Sequence, residues 1–212
     1  SGRDRRLSLT GFCEWALGET RERNAPHVVS RLDPQTGALF ATNTYGSEFA
    51  HNLAFFHAAG GPRSHTADRL EFIGRNGSLR APAALRRTRL SGAMGANLDP
   101  CAALQVYVDV PAEQERQVVF VLGAAKSEEE ARGHLRRFCD ADGARQALEA
   151  VWHFWKHLLG GVYVETPDPA VNYLVNQWLP YQIVACRFWG RSGLYQSGGA
   201  YGFRDQLQDS MA

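Results

Sequence analysis

The 212-residue sequence predicts an α+β chain, with an antiparallel β-sandwich half followed by helices. Three observations predict it. Between about residues 7 and 125 apolar residues alternate with polar ones, or come in short bursts broken by turn formers, as in antiparallel strands. At Lys126 the apolar period changes to that of a helix. Beyond that point Ser127, Gly160 with Gly161, and Asp168 with Pro169 stand where helix starts and stops belong.

In the β half, "HVVSRLDPQTGALFATN" places Asp33, Pro34 and Gly37 between two apolar arms and predicts a hairpin. "LQVYVDVPAEQERQVVFVLGAA" repeats the pattern around Pro111, with Val106, Val108 and Val110 on one face, and predicts a second hairpin. Strand follows strand with no helical pattern between them. A sheet of that size closes against a second sheet into a sandwich.

The first helix opens at "SEEE", with Ser127 as N-cap and Glu130 as its capping-box partner, and carries Leu135 and Phe138 on one side. In the second, Leu148, Val151, Trp152, Trp155 and Leu159 recur at helical spacing until the glycine pair stops it. The tryptophans at this spacing read as core. A third starts at Asp168 and Pro169 and runs through Leu174, Trp178 and Tyr181, with Pro180 expected to kink or interrupt it. A further helix is expected from about Phe203. The chain thus divides into a partial β-sandwich over 1–125, a helical linker over 126–161, and the opening of a helical domain over 162–212.

A net charge of +1, from 23 basic and 22 acidic side chains, gives no electrostatic reason for a nucleic acid or an acidic membrane as partner. Cys13, Cys101, Cys139 and Cys186 form no CxxC pair, so reduced thiols are expected rather than a zinc site or a disulfide framework. No apolar run approaches the roughly 18 residues that span a bilayer, and "SGRDRRLSLT" lacks a signal-peptide core. His153 and His157 are an i, i+4 pair with no third ligand nearby in sequence, and no phosphate-cradling loop or GxSxG nucleophile is present. Neither a metal nor an organic cofactor is expected.

The densest chemistry is in "YQSGGAYGFRDQLQDSMA". On a helix, Asp205 and Asp209 stand at i and i+4, with Arg204 and Gln208 on the neighbouring face. Carboxylates that accept hydroxyl hydrogens and a guanidinium that donates in a fixed fork suit a sugar; the same spacing also suits a solvated helix start. Tyr195 and Tyr201 flank a glycine pair that permits close backbone approach, or that is a plain flexible connection. With Gln196 they complete the candidate sugar contacts.

"GLYQSGGAYGFRDQLQD", with "LDPCAALQVYVDV", "NLAFFHAAG" and "NQWLPYQIVACRFWGRSG", closely resembles the glycoside hydrolase family 94 inverting phosphorylases over nearly the whole chain. The likeness is greatest to the branch of cyclic β-1,2-glucan synthases; cellobiose and chitobiose phosphorylases are other branches. The resemblance implies a galactose-mutarotase-like supersandwich, linker helices, an (α/α)6 barrel and a small C-terminal β domain. It also implies that Arg204, Asp205 and Asp209 line the site holding the non-reducing-end sugar.

In that family the general acid and the groups that bind phosphate lie downstream, so no catalytic residue is expected within this chain. An inverting phosphorylase protonates the glycosidic oxygen with one carboxylic acid while inorganic phosphate attacks from the opposite face in place of an activated water. Asp205 and Asp209 are therefore expected to position sugar, not to act as an acid/base pair. The implied co-substrate is inorganic phosphate, and the implied partner is a β-glucan or a β-linked glucose disaccharide. The implied location is the cytoplasm, or the cytoplasmic part of a bacterial inner-membrane synthase. The chain reads as a fragment starting within the sandwich and ending early in the barrel, inactive alone and prone to self-association through cut faces. The other reading is a non-catalytic carbohydrate-binding or interaction module.

Overall fold

The computed structural model describes residues 2–45, 49–60 and 64–189, without the side chains of 186–188. The chain forms two compact units, residues 1–146 and 147–212. Among the described residues of the first, seven strands make two antiparallel sheets. One has the order β1-β6-β5, from Arg5–Glu14, Pro100–Val110 and Ser64–Asp68. The other has the order β2-β3-β4-β7, from Val28–Leu32, Leu39–Asn43, Leu53–Ala58 and Phe120–Ala125. The α+β class and the sandwich predicted from the sequence are both present.

The first hairpin forms as expected, with Val28 opposite Asn43 and Leu32 opposite Leu39. Its turn rests on Asp33, whose carboxylate accepts from the Thr36 N–H and hydroxyl, and on Gly37, whose φ of 69° suits a residue without a Cβ. The second does not form. β6 is the central strand of its sheet, paired on one edge with β1 and on the other with β5, so no edge is free for β7. Residues 111–119 instead carry the chain across to the other sheet, where β7 pairs with β4. Short helices also intervene among the strands: α1 (Arg21–Asn24) and α2 (Arg69–Ile73), with 3-10 turns at Ala25–His27 and Ala83–Arg86.

Each sheet packs apolar residues on both of its faces. Between them lies a core in which Leu39, Ala41, Ala54 and Phe56 of one sheet meet Ala102, Leu104 and Val106 of the other. The outer face of the four-stranded sheet, with Phe40, Leu53 and Phe55, packs on Ala131 and Leu135 of α3 (Glu128–Phe138). The outer face of the three-stranded sheet, with Phe12 and Ala103, packs on Phe72, Ile73, Ala84 and Leu90. This is why all six residues of β4 are buried and its sequence reads as a continuous apolar run. Gly123 stands opposite Phe55 in the β4–β7 ladder and makes room for its ring.

α3 opens on the predicted cap: Ser127 Oγ accepts from the Glu130 N–H, and Glu130 reaches back to the Lys126 N–H at 2.7 Å. α4 (Ala141–Leu159) has no buried residue. Its tryptophans were expected in a core; Trp152 is instead 63% exposed, while Trp155 is half-buried. Within the second unit Trp155 meets Tyr181 and Trp189, at 5.2 and 5.4 Å between ring centroids, and Trp152 meets neither.

The third predicted helix starts as expected, with Asp168 Oδ1 accepting from the Ala170 N–H and Pro169 in the first turn. It proceeds through α5 (Pro169–Tyr173), a π-helical stretch (Leu174–Trp178), α6 (Leu179–Gln182) and a second π stretch (Ile183–Trp189). Pro180 does not interrupt it. The wider turn, in which the Leu179 N–H bonds the Leu174 carbonyl five residues back, sets Pro180 at the start of α6, where its missing N–H costs least.

Candidate functional site

All the predicted sugar contacts, Tyr195, Gln196, Tyr201, Arg204, Asp205 and Asp209, lie outside the described residues. The structure does describe what leads up to them. Two asparagines one helical turn apart bind the segment before the helix as a neighbouring strand would. The Asn176 amide exchanges two 2.8 Å hydrogen bonds with the Val164 N–H and carbonyl. Asn172 does the same with Thr166, at 2.8 and 2.9 Å. An asparagine amide presents the donor and acceptor of a peptide group, so this clamp satisfies backbone that has no sheet to join. In the same unit Phe154, Trp155, Tyr181 and Trp189 meet as an aromatic cluster.

The first unit contains a cleft of about 710 Å³, which no sequence motif marks. Its floor is Leu17, Leu53, Ala54 and Ala124, and its polar rim includes Glu19, Arg23, Asn24, Asn43 and Asn52. The Asn43 amide donates to the Leu17 carbonyl at 2.6 Å and to Asn24 Oδ1 at 2.9 Å, while its oxygen accepts from the Tyr45 N–H. Asn24 and Asn43 are themselves buried, so their hydrogen bonds hold the wall. Tyr45 stacks on His27 with centroids 3.9 Å apart and rings 7° from parallel, and is 70% exposed. The signal for this site was the spacing of polar residues at strand ends, which no periodicity isolates.

The titratable groups elsewhere in this unit serve the frame. Asp33 is fully buried and receives Arg132 Nη2 at 2.7 Å and Nε at 3.2 Å; these bonds hold its carboxyl down at about 2. Glu71 accepts from Thr66, Ser91 and Arg87. Burial works against those hydrogen bonds, but its carboxyl still lies below the ordinary value. Glu14, Arg21, Arg69 and Asp99 form an alternating charge network, in which Arg21 pairs with Asp99 and Arg69 with Glu14 at 2.8 Å. Burial drives the Cys13 thiol up to about 12 and the Cys101 thiol higher, so neither is a nucleophile near neutral pH. His57 and His65 are shifted down by burial. Among the described residues no three His, Cys, Asp or Glu side chains converge as a metal site, and no helix is long and apolar enough to cross a membrane.

Comparison with known proteins identifies two matches in chain order. Residues 1–141 match the glycosyl hydrolase 94 supersandwich domain, and residues 154–212 match the catalytic domain of the glycosyl hydrolase 94 superfamily. Cyclic beta-(1,2)-glucan synthase NdvB of Rhizobium meliloti (strain 1021) is 44% identical over 98% of this chain and 7% of that protein. A 3-O-beta-D-glucopyranosyl-beta-D-glucuronide phosphorylase of Paenibacillus borealis is 31% identical over 70% of the chain and 18% of that protein. The N,N'-diacetylchitobiose phosphorylase of Vibrio proteolyticus is 23% identical over 98% of the chain and 27% of that protein. The chain therefore spans about a quarter or less of the length of these relatives.

Proposed function

The chain belongs to the glycosyl hydrolase 94 family, and on that premise we propose that it is a region of a larger enzyme acting on β-glucosidic bonds. The reaction is inverting phosphorolysis, or the synthesis and processing of cyclic β-1,2-glucan. The observation that carries this is the ordered pair of domain matches together with 44% identity to a protein named as a cyclic glucan synthase. Residues 1–125 serve as the sandwich frame and 126–161 as the linker, and 162–212 open an (α/α)6 barrel.

In this reading Arg204, Asp205 and Asp209, with Tyr195, Gln196 and Tyr201, hold the non-reducing-end sugar. Inorganic phosphate is the nucleophile, and being already anionic it needs no carboxylate to activate it. A general acid must hold its proton near neutral pH, which calls for a raised pKa. Asp33 and Glu71 are shifted the other way and are consumed by their partners, so neither supplies that proton. The acid belongs to the rest of the enzyme, and these 212 residues alone do not turn over. The exposed Leu148, Val151 and Trp152 on α4 favour self-association of the isolated chain. The enzyme works in the cytoplasm, or as the cytoplasmic part of a bacterial inner-membrane synthase.

The test is the release of glucose 1-phosphate from β-1,2-glucan or cellobiose with inorganic phosphate. The full-length enzyme is expected to release it, its Arg204→Ala and Asp205→Asn variants to lose most of that activity, and the 212-residue chain to release none. Turnover by the short chain would overturn the assignment of the acid to other residues. Unchanged activity in both variants would overturn the sugar-holding role of the motif.

A further inference from the structure

The cleft of the first unit is separate in sequence from the sugar motif, its lining including Leu17, Glu19, Arg23, Asn43, Tyr45 and Asn52. We propose that it is a second carbohydrate site, which holds one or two glucosyl residues of a neutral β-glucan chain away from the residues that process its end. The inference rests on the glucan chemistry proposed above.

Four features of the cleft select this ligand class. Its volume of about 710 Å³ is that of a small-molecule site, about 300–1,000 Å³ in general. Its charges cancel, because Arg23 Nη1 pairs with Glu19 at 2.7 Å, so an anion or a cation gains little there. The Tyr45 ring is fixed by its stack on His27 and is exposed, so a sugar ring meets a platform that needs no ordering. Among the described residues the Asn52 side-chain amide and the Tyr45 hydroxyl make no hydrogen bond, leaving a donor and acceptor pair and a phenol for hydroxyl groups. A sugar presents the matching surface, apolar C–H patches ringed by hydroxyls, against an apolar floor with a polar rim.

The experiment is titration of the 212-residue chain with a linear β-1,2-linked glucose oligosaccharide and with cellotetraose, followed by calorimetry and by side-chain amide NMR. Binding is expected to move the Asn52 amide resonances in the unaltered chain, a readout that needs no variant. Tyr45→Ala is expected to weaken binding about tenfold, the worth of one aromatic platform, and Arg204→Ala to leave it unchanged. Loss of binding in Arg204→Ala with none in Tyr45→Ala would overturn the inference while upholding the sugar motif. Absence of binding to either oligosaccharide would overturn it as well, and leaves the proposed function to be judged by phosphate-dependent turnover of the full-length enzyme.

Discussion

Replacing Asp33 with asparagine keeps the shape of the β2–β3 turn, including an acceptor for Thr36, and removes the charge that Arg132 meets from α3. The carboxylate is fully buried and Arg132 is only 13% exposed. Leaving one partner of such a pair typically costs about 3–5 kcal/mol. Here Arg132 keeps Glu128 at 2.8 Å, which lowers the expected loss to about 2–3 kcal/mol. The protonation equilibrium gives a second route to the same quantity. A carboxyl held at about 2 against an ordinary 3.8 corresponds to about 2 kcal/mol, at about 1.4 kcal/mol for each tenfold change. Because the folded value is depressed, this stability is complete above about pH 4 and is lost as pH falls through about 2. Urea unfolding of the parent chain and Asp33→Asn, followed from pH 7 to about pH 2.5, measures the gap directly; other carboxylates titrate alike in both and drop out of the difference. A gap below about 0.5 kcal/mol at pH 7, or one that does not narrow towards low pH, would refute the reasoning.

Gly123→Ala would place a Cβ 2.5 Å from the Phe55 ring, which is itself buried on the other side; the expected cost is about 1–3 kcal/mol in thermal unfolding. Ser127→Ala removes the N-cap of α3 and should cost about 1 kcal/mol, a fall in Tm of about 2–4 °C by circular dichroism. With Cys139 and Cys186 changed to serine, Cys13 and Cys101 should resist a thiol reagent at pH 8 until urea unfolds the chain; rapid labelling of the folded protein would contradict their burial.

The sequence made legible what local chemistry decides. The Asp33–Gly37 turn, the Ser127 cap and the Asp168–Pro169 start each act within a few residues and appear where expected. The β6–β7 connection failed because pairing partners are a tertiary choice: β6 is buried from Pro100 to Val106 with neighbours on both edges, and nothing in "VPAEQERQV" distinguishes a hairpin from a crossing between sheets. Helices α1 and α2, of four and five residues, are too short to develop a period. Trp152 and Trp155 share an apolar stripe in sequence, yet only Trp155 meets the aromatic cluster. The cleft was illegible because its residues are individually unremarkable and converge only once the strand ends meet. The sugar motif was the reverse case, plain in sequence and outside the described residues.

The pairing of β1 with β6 has a consequence in time. Arg5 lies opposite Val110, so the first sheet joins residues 105 positions apart. At about 5–20 residues per second, roughly 5–20 s of synthesis separate the appearance of the two strands. Throughout that interval the edge of β1 that β6 will take is unpaired over ten residues, with Leu7, Leu9 and Phe12 along the strand. The β2–β3 hairpin, closed across six residues, can form almost as soon as it appears. Folding should therefore begin in the four-stranded sheet, and chaperone demand during translation should fall when β6 emerges.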